Sequence, residues 1–152
     1  MKIPRKLRNL GASLLSLVFA SVAIVLIATY SLFSYITRMT QGEVEVLTDR
    51  WIDEVTLNHD PSAIQKMFCS DGNLVGTVSQ VKRTGNDIGR YFDYFANLDG
   101  IEVVSRKYNI SRVTNDVYVN TAFITWKWDA LDAPIIARMT FIYRGSCIFQ
   151  LH

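Results

Sequence analysis

The spacing of apolar residues along the chain changes twice, and each change marks an element boundary. Between Arg8 and Arg38 no residue is charged, and the stretch through Leu17-Val18-Phe19 and Ala23-Ile24-Val25-Leu26-Ile27-Ala28 is apolar on every helical face. The run exceeds the roughly 20 residues that cross a bilayer core, so residues 10–37 are expected to form one transmembrane signal-anchor helix. Residues 38–42, including Met39-Thr40-Gln41-Gly42, form a polar joint, and a domain spanning residues 43–152 follows. Val44, Leu47, Trp51 and Val55 then recur at three- and four-residue steps, which predicts an amphipathic helix running to about His59. Asp60-Pro61 restarts the chain, with Asp60 as cap and Pro61 in the first helical position, and Ile64, Met67 and Phe68 turn inward. Ser70-Asp71-Gly72 predicts a turn, and Leu74 to Val78 a short strand.

Thr84 with Asp87 three residues on resembles a capping box, and Ile88, Tyr91, Phe92 and Phe95 follow at helical spacing, so a third helix is expected over residues 86–96. From Ile101 the period becomes two, and the segments Val117 to Trp128 and Ile135 to Arg144 continue it. Asp129 to Pro134 and Gly145-Ser146 separate the strands, and Cys147 to His152 begins the last one. Helices first and strands after them predict an α+β domain: a cone-shaped, curved antiparallel sheet packed against three N-terminal helices, preceded by one transmembrane helix.

Charge sharpens the topology. Lys2, Arg5, Lys6 and Arg8 make residues 1–9 a basic cytoplasmic N-terminus, and all 14 acidic residues lie beyond Arg38. Basic flanks stay in the cytoplasm, and Tyr30, Phe33 and Tyr35 suit the opposite interface, so the expectation is a single-pass membrane protein with its folded domain on the extracytoplasmic side. A signal peptide cleaved after Ala23 is the alternative; the continuation of the apolar run to Ile36 favours an uncleaved anchor. With its basic excess confined to the N-terminus, the domain offers nothing to nucleic acid. Two cysteines and two histidines, with no CxxC spacing, give no metal site, and no cofactor is expected. Cys69 and Cys147 could pair in an oxidising compartment or sit apart as small core residues. Asn109-Ile110-Ser111 fits the glycosylation pattern, for which chance is the default explanation.

The order of elements, with Trp51, His59-Asp60-Pro61, Leu74 to Ser79, Arg83, Ile88-Gly89-Arg90-Tyr91-Phe92, Arg138 to Tyr143 and His152, resembles the nuclear transport factor 2-like superfamily. The likeness is greatest to the calcium/calmodulin-dependent protein kinase II association domains and the SgcJ/EcaC-type proteins, and it covers residues 43–152. A single anchor before such a cone is also similar to the inner-membrane scaffolds of type IV secretion machines. The resemblance implies a bent sheet closed on one side by helices, a pocket in its mouth and self-association through the sheet, with the last strand cut short at His152.

Within such a cone, alternation from Arg138, Thr140 and Ile142 nominates Asn120, Trp126, Trp128, Gln150 and His152 as pocket walls, joined by Trp51 and Tyr91 from the helices. An inward Arg138 between aromatic walls would suit a small hydrophobic or carboxylate ligand; an outward one would be a solvated strand residue. Isomerases and dehydratases of this superfamily need an inward Asp or Glu as base, and none is well placed here. Three functions stay in view. The first is a membrane-anchored binding or assembly module, working as a homo-oligomer or as a subunit of a membrane complex. The others are a small-molecule pocket enzyme and a ligand sensor built around Arg138.

Overall fold

In the computed structural model, residues 19–31, 39–76 and 81–152 are described, and they fall in two compact units that divide after Arg38. In the first unit, residues 19–31 are helical with exposed side chains. Among the described residues, no helix is long and apolar enough to cross a membrane. The expected basic N-terminus, the rest of the expected span and the end of the Leu74–Val78 strand lie outside the described residues.

The second unit opens with α1 (Gln41–Thr56), α2 (Pro61–Lys66) and β1 (Phe68–Val75). It continues through β2 (Lys82–Thr84), α3 (Asn86–Ala96), β3 (Glu102–Arg112), β4 (Val117–Lys127), β5 (Ile135–Arg144) and β6 (Cys147–Leu151). The sheet order is β2-β1-β6-β5-β4-β3. It is a curved mixed sheet, not the purely antiparallel one expected, because β1 pairs parallel with β6 while every other pair is antiparallel. Chain path permits the parallel pairing: β1 and β6 are the first and last strands in sequence and are not joined by a hairpin.

Three local expectations are corrected. Of the expected polar joint at residues 38–42, Gln41 and Gly42 belong to α1: Thr40 caps the helix, accepting from the Glu43 amide at 3.2 Å, while the Glu43 carboxylate accepts from the Thr40 amide at 2.6 Å. Ser70-Asp71-Gly72 is no turn. These residues run through β1, where the register against β6 shifts between Phe68 and Asn73. Gly72 allows the close approach, since a Cβ there would lie 2.7 Å from the Ile148 carbonyl oxygen. Thr84 and Asp87 do not form a capping box; Thr84 ends β2, and Gly85, with φ of 52°, caps α3 without a side-chain bond.

The core lies between the helices and the inner face of the sheet. Val44, Trp51, Ile52 and Val55 of α1, Ile64 of α2, and Ile88 and Phe92 of α3 pack on Ile124, Phe141, Tyr143, Ile148 and Leu151. Trp51 anchors it, with edge-on contacts to Phe92, Trp126 and Phe141 at centroid distances of 5.5, 6.3 and 5.1 Å. Cys69 and Cys147 are joined in a disulfide that ties β1 to the start of β6. His59 has a left-handed backbone, φ 50°, and its Nδ1–H donates to the Ala96 carbonyl at 2.6 Å. It therefore braces the end of α3.

Candidate functional site

Helices on one side and a bent sheet on the other leave a cavity of about 320 Å³ at one end of the unit. Its walls come from Trp51 and Val55 of α1, Leu74 and Val75 of β1, and Tyr91, Phe92 and Phe95 of α3. The sheet contributes Trp126, Ile135, Ala137, Met139 and Leu151, and Trp128 and His152 stand beyond the strand ends. Gly76 belongs to the wall because a Cβ there would lie 2.7 Å from the Tyr91 hydroxyl.

The lining is almost wholly apolar. Its polar side-chain groups are the Tyr91 and Tyr94 hydroxyls, the His152 ring and the indole N–H groups of Trp51, Trp126 and Trp128, of which that of Trp51 is buried with no hydrogen-bond partner among the described residues. No Asp or Glu side chain lines the cavity. All 14 acids belong to described residues, since positions 77–80 and everything up to Arg38 carry none. The site therefore holds no carboxylate base.

Of the expected wall residues, the cavity brings together Trp51, Tyr91, Trp126, Trp128 and His152. Four others lie elsewhere. Arg138 is exposed on the outer face of β5, and Thr140 shares that face, its backbone paired with His152. Gln150 sits opposite Ile142 on the outer side of β6. The reason is register. Asn120 pairs with Phe141 and Trp126 with Ile135, and directly paired residues project to the same face, so Ile135, Ala137, Met139, Phe141 and Tyr143 face inward and Arg138 outward. Among the described residues, Arg138 therefore faces away from this cavity. One signal in the sequence could have found this: every residue of the set 135, 137, 139, 141 and 143 is apolar, whereas the alternate set holds two arginines and a threonine.

Asn120 faces inward but sits deeper, in a polar cluster away from the cavity. Its Nδ2 donates to Thr48 Oγ1 at 2.8 Å, and Thr48 Oγ1 in turn donates to the Val44 carbonyl at 2.9 Å. The Tyr143 hydroxyl, 2.9 Å away, then serves as the donor to the remaining Thr48 lone pair. Burial pushes the Tyr143 hydroxyl well above its ordinary range, opposed by the bond to Thr48. A second cluster lies between α1 and β3, where the Tyr108 hydroxyl donates to Asp49 and Arg106 Nε stands 3.1 Å from the same carboxylate. Burial, reinforced by the Asp49 carboxylate, raises the Tyr108 hydroxyl strongly.

Helices closing one side of a bent mixed sheet, over an apolar pocket at its open end, define the nuclear transport factor 2-like fold. Solved structures bear this out. A Xanthomonas campestris protein assigned to the calcium/calmodulin-dependent protein kinase II association domains aligns with a TM-score of 0.60 at 24% identity, covering 72% of this chain and 83% of its own. A ketosteroid isomerase-type protein from Shewanella frigidimarina aligns with a TM-score of 0.60 at 8% identity, covering 72% and 93%. A Nostoc punctiforme domain with a cystatin-like fold aligns with a TM-score of 0.62 at 10% identity, covering 74% and 76%. No protein-family model and no curated protein matches the sequence. At these identities the likeness is one of fold, and fold alone does not carry a reaction.

Proposed function

We propose that this chain is a binding module, not an enzyme, tethered to a membrane by its N-terminal apolar segment, with its cone holding a small apolar ligand on the extracytoplasmic side. One observation carries the binding claim: a cavity of about 320 Å³, inside the usual size range of ligand sites, walled by aromatic and aliphatic side chains and free of Asp and Glu. The cavity holds no carboxylate to serve as a base, whereas an apolar guest gains from every wall it covers.

Two features support the location. The uncharged run from residue 9 to 37 follows a basic cluster, and the Cys69–Cys147 disulfide suits an oxidising compartment. The expected orientation is checked by adding protease to intact spheroplasts, which should remove the domain; its survival until lysis would contradict it.

The tryptophans make binding measurable, because all three, Trp51, Trp126 and Trp128, line the cavity. A brominated apolar probe, bromododecanol, should quench them saturably. Ala137→Phe, which places a ring in the cavity, should abolish the quenching. An unsaturable response that is the same in both proteins would contradict the proposal.

A second property is favoured by the outer face of the sheet, where Phe123 is 41% and Ile136 73% exposed on neighbouring strands. Such residues suit contact with a second copy or with a subunit of a larger membrane complex.

A further inference from the structure

The apolar cavity shares a wall with a groove of different chemistry. Tyr91, Tyr94 and Phe95 of α3 border both. Beyond them the groove is lined by Lys82, Arg83 and Arg90, with Asp87 as its one acid. The Arg83 guanidinium lies 4.7 Å from the centroid of the Tyr91 ring, on the aromatic row that separates groove from cavity. Asp87 pairs with Arg90, but both side chains are largely exposed, and such a pair neutralises little of the local field. Across one row of aromatic rings the surface thus changes from apolar to cationic.

Resting on the reading of the cavity as a ligand site, the geometry points to a single-chain anionic amphiphile as the ligand, specifically a free fatty-acid-type carboxylate. Its chain lies along Trp51, Trp126 and Met139, and its head crosses the Tyr91–Phe95 row to meet Lys82, Arg83 and Arg90. A neutral apolar molecule would gain nothing from the positive charge at the rim. A small hydrophilic anion would leave the cavity unfilled. A two-chain lipid exceeds a space of about 320 Å³. The carboxylate is held by charge and hydrogen bonding at a solvated rim, so the head adds selectivity and the chain supplies most of the affinity.

The test uses the full chain in nanodiscs of zwitterionic lipid, with tryptophan quenching by bromododecanoate and bromododecanol. The carboxylate should bind at least about tenfold more tightly than the alcohol, and added salt should shrink that advantage, because rim charges are screened. Lys82→Glu with Arg90→Glu, both exposed positions, should erase the difference while leaving the alcohol unaffected. Equal affinities for the two probes, or a carboxylate affinity indifferent to both salt and charge reversal, would overturn the proposal and leave the apolar site standing. Failure of both probes to quench would instead remove the cavity reading itself. Should the doubly substituted chain not fold, the salt series on the unaltered chain decides alone.

Discussion

Thr48 shows how much one side chain organises. It lies on the buried face of α1, and its hydroxyl accepts from Asn120 Nδ2 of β4 and from the Tyr143 hydroxyl of β5 while bonding its own helix, so it fixes the helix against two strands. Thr48→Val keeps the shape but strands the Asn120 amide and the Tyr143 hydroxyl in a dry interior. A loss of about 3 kcal/mol is expected by urea unfolding, with Thr48→Ser costing distinctly less. Alkali attacks the same region. Tyr108 and Tyr143 both have hydroxyls raised above the ordinary value of 10.0, so the unfolded chain sheds these protons first. The stability they supply is therefore present below about pH 10 and lost as pH rises above it. Denaturant midpoints should fall from pH 10 upward, and less steeply in Tyr108→Phe. Single positions were also where the sequence was hardest to read. Trp51 and Tyr91 could be placed in the cavity because helical spacing fixes a face, whereas Arg138 was harder to place, because Ile136 and Ile142 put apolar residues on its face of β5 as well; the pairing of Asn120 with Phe141 turns the wholly apolar set inward.

At the scale of elements, periodicity carried the helices and the long strands. The third helix was expected over residues 86–96 and occupies Asn86–Ala96, and the two hairpin connections fall at Asp129 to Pro134 and Gly145-Ser146. What could not be read was anything set by partners distant in sequence. β1 looks like a turn at Ser70-Asp71-Gly72 because those residues favour turns locally; the parallel β6 strand overrides that preference and absorbs the misfit as a register shift. The disulfide holds this seam, joining residues 78 positions apart. Its removal in Cys69→Ala/Cys147→Ala releases a long loop in the unfolded chain and should cost about 2–4 kcal/mol in unfolding free energy. A reductant should weaken the unaltered protein by a similar amount and leave the variant unchanged.

For the whole molecule, the nuclear transport factor 2-like fold was legible from the order of elements, while the cavity's chemistry was not. Which aromatic side chains line a space and which fill a core depends on the curvature of the sheet, and no local pattern encodes it. The exposed outer face bears on assembly. Protein from Met39 onward should sediment as a dimer or larger species at tens of micromolar, and Phe123→Lys/Ile136→Lys should shift it toward monomer; a monomer before substitution would count against sheet-mediated contact. The central claim is that the cone holds an apolar guest. Anomalous scattering from crystals grown with bromododecanol tests this most directly, because bromine locates itself. A bromine peak between Trp51, Trp126 and Met139, with the ligand's carbon skeleton and hydroxyl intact, is the expected result. Bromine found only on the protein surface, or a cavity closed by repacked Trp51 and Met139 side chains, would contradict it.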